Sequence, residues 1–333
     1  MKELFIALLI LGVLVVAFCM VTLILIHRAH KEQFSRADYK KTSDPNAMTY
    51  DDFASAYPRE IVQIQSGENM LKGFLYRSKT ENGLVIISSG HRCSTECYLT
   101  DMQYFVDHGW TVFCYDYAGY YNSEGKEMID YIQAVKDLDS VLAYFEEDKY
   151  WSNIPHFLYG HSLGAYASTA VLNFKHTITA VVAASGFDKP VEQWSYSVKR
   201  FSGALGNILG RLAGIYLRVL FGKDTVDFSA IKGINANSIP VLVISGTQDE
   251  YYGGESPIYA KKDQVTNPKC SFILMQQEGH NGHSNYTLSD RAVEYQKRCK
   301  EEEPSQIDKW LCMEYNPLYY DRVHQFFLDA LSH

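Results

Sequence analysis

The stretch Gly160-His161-Ser162-Leu163-Gly164 constrains the fold more than any other part of this sequence. The residues before it, 154–159, form a short apolar run typical of a buried strand, and residues 165–174 contain no glycine or proline. Glycines on both sides of the serine allow a strand and a helix to close around a strained turn. The sequence therefore predicts a strand, a sharp turn and a helix, with Ser162 exposed at the turn.

Apolar runs alternate with helical patterns along most of the remaining chain. Continuous apolar runs predict buried strands, and two alternating runs predict a hairpin before them. Strands alternating with helices indicate an α/β fold, whose mostly parallel central sheet has helices on both faces. The predicted hairpin covers residues 60–64 and 71–76, the further strands 84–88, 111–115, 179–184, 240–245 and 271–275, and the principal helices 128–146 and 318–331.

Two segments interrupt this alternation. Roughly 55 residues separate the strands at 179–184 and 240–245, and apolar residues recur there at intervals of three or four, which predicts a helical lid insertion over 186–238. The helical stretch 198–219 of the insertion carries Gly206, Gly210 and Gly214 at a spacing that permits close helix contact, and its four basic residues are Lys199, Arg200, Arg211 and Arg218. Packing as a lid is one interpretation, and a lid that also touches a membrane surface is the other. The second segment, 284–316, is an extra polar insertion with no assigned chemistry.

Residues 4–26 form an uncharged apolar run long enough to cross about 30 Å of hydrocarbon. The run is longer than the apolar core of a signal peptide, which is the rival interpretation. We therefore expect a single membrane anchor at 1–30, a polar linker at 31–57 and a folded domain at 58–333. Positive charges follow the run more than they precede it, which places the folded domain in the cytoplasm, although a translocated domain remains open.

The composition narrows the class of protein. The chain has 333 residues, of which 47% are hydrophobic, so it can bury a large core. Its net charge is −8 and it lacks a basic run of the kind that binds a phosphate backbone, so nucleic acid is not an expected partner. The composition leaves the oligomeric state open.

A serine at a strained turn becomes a nucleophile when a histidine removes its proton and a carboxylate orients that histidine. With Ser162 as the nucleophile, the expected chain order is serine, acid, histidine. Asp249 follows the strand at 240–245 and is the first choice of acid over Glu250. His280 follows the strand at 271–275 and is the first choice of base, with His283 as the alternative.

The oxyanion of an acyl-transfer reaction needs backbone N–H donors. Leu163 directly follows the serine, and His91 lies in the loop after the strand at 84–88, so these two residues are the predicted donors. A serine, a histidine and an aspartate supply nucleophile, base and acid, and no metal or organic cofactor is implied.

Taken together, these motifs resemble those of α/β hydrolases, in the broad group of serine aminopeptidases and monoacylglycerol lipases. The resemblance covers residues 58–333 and rests on the serine motif, Gly90-His91, the loop 116–125, Asp249 and Gly279-His280. The chain departs from the family pattern in that loop, where Ala118 and Tyr121 replace an arginine and a glycine, and at Ser89, where a histidine often stands.

The resemblance implies a serine hydrolase that cleaves a carboxylic ester through an acyl-enzyme, and the apolar run at 4–26 predicts that it is anchored in a membrane. Its expected partners are a small-molecule or lipid-like acyl substrate and the membrane. The same residues fit a peptidase, an amidase or a thioesterase, because the fold does not fix the substrate. A catalytically silent binding or scaffold protein is the non-enzymatic alternative, although no member of the predicted triad is missing.

Overall fold

A computed structural model describes residues 1–39, 47–79, 82–253, 257–299 and 307–332. The chain divides into two compact units. The first comprises Met1–Ser35 and Lys189–Asp227, and the second comprises Arg36–Asp188 and Phe228–His333. Residues 40–46 of the expected linker and 300–306 of the expected polar insertion lie outside the described residues.

The second unit is built on a single eight-stranded sheet with the strand order β1-β2-β4-β3-β5-β6-β7-β8. The hairpin β1–β2 is antiparallel and β2 also pairs antiparallel with β4, whereas all pairs from β4 to β8 are parallel. The predicted mostly parallel α/β sheet is thereby confirmed. The strands are β1 Glu60–Ser66, β2 Asn69–Tyr76, β3 Leu84–Ser88, β4 Thr111–Tyr115, β5 His156–His161, β6 Ala180–Ala184, β7 Val241–Gly246 and β8 Cys270–Met275.

Helices follow most strands. In chain order they are α1 Lys2–Gln33, α2 Tyr50–Phe53, α3 Leu99–Asp107, α4 Ile132–Glu147, α5 Leu163–Ala170, α6 Pro190–Phe201, α7 Gly206–Phe221, α8 Lys223–Val226, α9 Ala230–Asn235, α10 Pro257–Ala260, α11 Asp290–Arg298, α12 Lys309–Cys312 and α13 Pro317–Leu331. The insertion expected at 186–238 therefore contains the helices α6 to α9, and its role as a lid stays a prediction.

The central strands explain why the sequence shows continuous apolar runs. Every residue of β3, β4 and β6 is buried, since helices cover both faces of the sheet. The chain runs from β3 outward to β4 and then crosses back to β5 on the other side of β3. Such a reversal opens a crevice beyond the carboxyl ends of β3 and β5, where open α/β sheets bind their ligands.

The first unit contains α1, α6, α7 and α8. Helices α6 and α7 cross closely, because a methyl group on Gly210 would stand 2.7 Å from the carbonyl oxygen of Ser195. The side chains of Thr22, Ile26 and His30 are the buried ones of α1, and they recur every four residues on one face of its last three turns. The close helix contact expected from the glycine spacing is present.

Two of the described helices are long and apolar enough to cross a membrane. The mean hydropathy of the most apolar window is 3.2 in Lys2–Gln33 and 1.3 in Gly203–Phe221. The first lies near the N-terminus, where a signal sequence would satisfy the same criteria of length and hydropathy.

The segment expected to be a polar linker is partly packed. Met48 and Phe53 are 4% and 1% exposed and belong to the core of the second unit. The guanidinium of Arg36 donates hydrogen bonds to the backbone carbonyls of Tyr121, Ser123 and Gly125 at 2.6–3.1 Å. These contacts show that the linker expected at 31–57 is not simply a free tether.

Candidate active site

Ser162 occupies the strained turn that the sequence predicts. Its backbone has φ 56° and ψ −114°, a conformation that costs a non-glycine residue about 1–3 kcal/mol. The Ser162 N–H donates to the carbonyl of Ala184 at 2.8 Å, which holds the turn against β6. A methyl group on Gly164 would collide with the carbonyl of Ser88, and one on Gly160 with the carbonyl of Gly164. Both glycines are therefore needed for β5 and α5 to close around the serine.

Asp249 and His283 form a buried pair beyond the carboxyl ends of β7 and β8. The Nδ1 atom of His283 lies 2.9 and 3.0 Å from the two carboxylate oxygens of Asp249. Asp249 is 1% exposed and His283 is 8% exposed. A carboxylate at this distance fixes the imidazole with its proton on Nδ1 and leaves Nε2 able to accept a proton.

His280, the first choice of base, lies away from Asp249 in the structure. The Nε2 atom of His280 contacts Asp290 Oδ1 at 2.7 Å, and its Nδ1 lies 3.3 Å from the carbonyl oxygen of Asn285. Both ring nitrogens of His280 thus have partners away from Asp249. The side-chain amide oxygen of Asn285 accepts from the N–H of Gly282 at 2.8 Å, and this turn carries His283 to the acid instead.

Glu250, the weaker candidate for the acid, has another position. Its Oε2 atom accepts a hydrogen bond from the backbone N–H of His283 at 3.2 Å and so holds the loop rather than the imidazole. The Gln248 N–H donates to the carbonyl of Asn281 at 2.7 Å. These two bonds fasten the loop after β7 to the loop after β8, so Asp249 and His283 are positioned together.

The hydroxyl of Ser162 contacts a residue that the sequence analysis missed. Its Oγ atom lies 3.4 Å from the hydroxyl of Tyr252, which is buried on the loop after Asp249. Burial raises the pKa of Tyr252 well above its usual range, so the phenol stays protonated. Among the described residues, Ser162 Oγ makes no hydrogen bond to His283. The sequence signal was only a tyrosine three residues after the chosen acid.

His161 ties the loops around Ser162 together. Its Nε2 atom lies 3.2 Å from the carbonyl of His283, and its Nδ1 lies 2.9 Å from the hydroxyl of Tyr98. That hydroxyl accepts the N–H of Gly90 at 2.7 Å. Burial, reinforced by the neighbouring His283, lowers the pKa of His161 to about 3, so the ring is neutral and donates through Nε2.

The two predicted oxyanion donors lie on elements next to the serine. Leu163 is the first residue of α5, and the first N–H groups of a helix have no acceptor within the helix. His91 follows Gly90 in the loop after β3, and its Nδ1 lies 2.9 Å from the hydroxyl of Tyr120. The side chain of His91 therefore contacts Tyr120, and the backbone N–H of His91 is the group predicted to donate to the oxyanion.

The loop 116–125 is held by a buried carboxylate. Asp116 accepts hydrogen bonds from the N–H of Thr95 at 2.9 Å and from the side chain of Asn122 at 2.8 Å. Burial raises the pKa of Asp116 to about 6. Tyr121, which replaces a glycine of the family pattern, has φ 40° and so keeps the left-handed conformation that favours glycine.

An aromatic cluster adjoins the serine. The Phe187 ring stacks on Tyr166 at 4.5 Å between centroids and lies 5.1 Å from Tyr131 and 6.5 Å from Tyr252. All four rings are buried. The cluster places buried hydrocarbon beside the turn that carries Ser162.

The strand order and the strained turn at Ser162 are those of the α/β-hydrolase fold. Residues 79–219 match the family described as "Serine aminopeptidase, S33". That stretch contains His91 and Ser162 and ends before Asp249 and His283. No curated protein sequence matches the chain.

Solved structures with the same fold include several esterases. The esterase Pf2001 of Pyrococcus furiosus is 16% identical, with a TM-score of 0.58 over 85% of this chain and 93% of that chain. The α/β hydrolase GrgF of Penicillium sp. sh18 is 16% identical, with a TM-score of 0.57 over 83% and 100%. Est1E of Butyrivibrio proteoclasticus, solved with ferulic acid, is 15% identical, with a TM-score of 0.52 over 82% and 100%.

Proposed function

We propose that this chain is a serine hydrolase that cleaves a carboxylic ester through an acyl-enzyme. The observation that carries the proposal is the contact of His283 Nδ1 with both carboxylate oxygens of Asp249, on the two loops beyond β7 and β8. Ser162 is the proposed nucleophile, His283 the base and Asp249 the orienting acid. The fold supports this assignment because its active sites form at this edge of the sheet.

In the acylation step, Ser162 Oγ attacks the ester carbonyl carbon while His283 Nε2 takes the hydroxyl proton. The N–H groups of Leu163 and His91 donate to the oxyanion of the tetrahedral intermediate. The intermediate then collapses, the bond to the leaving alkoxide breaks, and the imidazolium of His283 returns the proton to that oxygen. Asp249 stabilises the imidazolium while it exists.

In the deacylation step, water attacks the carbonyl carbon of the acyl-enzyme and gives a proton to His283 Nε2. The second tetrahedral intermediate expels Ser162 Oγ, which recovers the proton, and the carboxylic acid leaves. In the free enzyme Tyr252 holds Ser162 Oγ at 3.4 Å, and we propose that it positions the hydroxyl until substrate enters. Hydrogen bonds between catalytic groups are often long before substrate binds, and His283 is expected to close on Ser162 at that stage.

The aromatic cluster supports an apolar substrate. Its rings, Tyr131, Tyr166, Phe187 and Tyr252, place buried hydrocarbon next to the nucleophile. We therefore favour an ester with an apolar acyl or alkyl group. The match to a serine aminopeptidase family favours an amide instead, and the two classes differ in a simple assay. Rates on p-nitrophenyl esters of increasing acyl length are compared with rates on amino-acyl p-nitroanilides, and turnover of the anilides alone would overturn the ester class.

Active-site labelling tests the nucleophile and the base. Wild-type protein is expected to react with a fluorophosphonate probe, and Ser162→Ala is expected not to react. His283→Ala is expected to lose labelling and ester turnover, while His280→Ala serves as the matched control and keeps both. Labelling that survives Ser162→Ala would refute the nucleophile, and loss confined to His280→Ala would refute the base. A folded wild type that never reacts would favour a non-enzymatic role.

We also propose that α1 is a retained membrane anchor, with the folded domain in the cytoplasm. The contacts of its last turns support retention, because His27 Nδ1 lies 2.7 Å from the hydroxyl of Tyr216 and the ring of His30 lies 5.4 Å from that of Trp194. Removing α1 would expose these partners. Mass spectrometry of the mature N-terminus and carbonate extraction of membranes test retention, and protease protection tests the side.

A further inference from the structure

The helix α7 of the first unit carries an apolar stripe that faces solvent. Its members within α7 are spaced three or four residues apart, so they lie along one face of the helix: Ile208, Leu212, Ile215 and Val219. Val219 is 82% exposed and Ile215 is 56% exposed. These side chains, with the half-buried Leu212 between them and the exposed Leu205 in the turn directly before α7, form an apolar patch of the kind that marks an interaction surface.

The opposite face of α7 already has its partner. Gly206, Gly210 and Gly214 are buried against α6, where a methyl group on any of them would meet a backbone or side-chain atom of that helix within 3 Å. The helix therefore packs into its own unit through its small residues. The apolar stripe lies on the other face of the helix, and most of its side chains are exposed.

The anchor helix α1 ends on α7. The first buried residue of α1 is Thr22, so contacts begin where about 20 residues of apolar helix have already passed. Tyr216, in the middle of α7, meets His27, and Phe221 lies 5.3 Å from the ring of His30. If α1 spans the bilayer, these contacts hold α7 at the level of the membrane surface.

Positive charge accompanies the stripe. Residues 203–221 contain two arginines and no acidic residue. A groove of about 550 Å³ between α6 and α7 is lined by three basic residues, Lys199, Arg211 and Arg218, and by one acidic residue, Glu192. Neither Lys199 nor Arg211 makes an ion pair with any described residue. Basic side chains beside an apolar stripe are the pattern of helices that lie in an anionic membrane interface.

We propose that α7 lies in the plane of an anionic bilayer leaflet, with its apolar stripe in the acyl boundary and Lys199 and Arg211 on the headgroup phosphates. The inference rests on the proposed anchoring of α1. In this arrangement the first unit is bound to the membrane through both α1 and α7, and the stripe of α7 is not exposed to water. The rival occupants of the stripe are a second copy of this chain and the bilayer core itself, if α7 crosses the membrane.

Tryptophan quenching in vesicles tests the proposal on the full chain. Ile208→Trp and Val219→Trp place two reporters about 16 Å apart along α7. Ile61→Trp, in β1, is a matched control at a residue that is 60% exposed. Each variant is reconstituted into phosphatidylcholine vesicles with or without phosphatidylglycerol, and brominated phosphatidylcholine quenches its emission after subtraction of the wild-type signal.

An in-plane helix gives one pattern of results. The emission of Ile208→Trp and Val219→Trp is expected to fall about twofold with shallow bromines, equally for both, while Ile61→Trp is unchanged. Quenching is expected to grow with phosphatidylglycerol, and that growth is lost when Lys199→Gln and Arg211→Gln are combined with either reporter. These outcomes together support the proposal that α7 lies on an anionic bilayer surface.

Other patterns would overturn it. Unequal quenching depths for the tryptophans at positions 208 and 219 mean that α7 crosses the bilayer. Quenching that does not depend on phosphatidylglycerol contradicts the contact of Lys199 and Arg211 with headgroup phosphates. In detergent, shielding of the two tryptophans that increases with protein concentration indicates that a second copy of the chain covers the stripe. Carbonate extraction and ester turnover, measured on the same samples, distinguish failure of this inference from failure of the proposed anchor. An inserted, active chain without quenching refutes this inference alone, whereas loss of insertion refutes the anchor as well.

Discussion

The pairing of Asp249 with His283 makes a quantitative prediction for the substitution Asp249→Asn. The carboxylate accepts the Nδ1 proton of His283 through two oxygens at 2.9 and 3.0 Å and is almost completely buried. An asparagine has nearly the same shape, but its NH₂ group can face Nδ1 and donate to it. The imidazole would then carry its proton on Nε2 and could not accept one from Ser162.

The expected loss of kcat is large because the substitution removes the base function of His283 rather than weakening it. In a serine–histidine–aspartate arrangement the wrong tautomer lowers kcat by about 10⁴-fold, which corresponds to about 5.4 kcal/mol of transition-state stabilisation. The assay is kcat for a short-chain p-nitrophenyl ester at pH 8. Asp290→Asn is the matched control, since it changes the partner of His280 in the same way, and it is expected to alter kcat less than threefold.

Two results would refute this reasoning. Asp249→Asn with activity within tenfold of wild type would mean that the buried contact is structural. A loss of kcat in Asp290→Asn as large as that in Asp249→Asn would mean that His280 is the base. Urea unfolding of both variants separates these outcomes from misfolding, because a buried carboxylate that also accepts the N–H of Tyr251 at 3.0 Å contributes to stability.

Three further predictions concern the surroundings of the site. Tyr252→Phe removes the hydroxyl that contacts Ser162 and is expected to change kcat by about tenfold with little change in KM, measured by steady-state kinetics on the same ester; a change in KM alone would contradict a positioning role. Gly164→Ala drives a methyl group into the carbonyl of Ser88 and is expected to cost about 3 kcal/mol or more, read from urea unfolding; an unchanged midpoint would contradict the close packing. Burial raises the pKa of Asp130 to about 7, so stability is lost as the pH rises from about 4 through 7, and Asp130→Asn is expected to raise Tm at pH 8 but not at pH 4; an equal shift at both pH values would contradict a charge effect.

The parts of the fold that repeat a short-range pattern were predictable from sequence. Continuous apolar runs mark the strands of the parallel sheet, because strands covered on both faces need apolar side chains throughout. The turn at Ser162 was predictable because glycine on both sides is a steric requirement of that turn. The glycine spacing of α7 likewise predicted its close contact with α6.

The histidine that pairs with Asp249 was not predictable from sequence, because no periodicity fixes the path of a loop. His280 and His283 are three residues apart, and the choice depends on which backbone groups Gln248 and Asn285 bind. The packed part of the linker did leave a local signal. Thr49 and Asp52 form a capping box, which starts a short helix ending at the buried Phe53.

The neutral ring of His161 has a consequence for how the site responds to acid. The rings of His161 and His283 lie 4.9 Å apart, yet with a pKa of about 3 the former takes up no proton at any pH at which the enzyme would normally be assayed. The hydrogen-bonded link from Gly90 through Tyr98 and His161 to the loop of His283 is therefore expected to stay intact across that pH range.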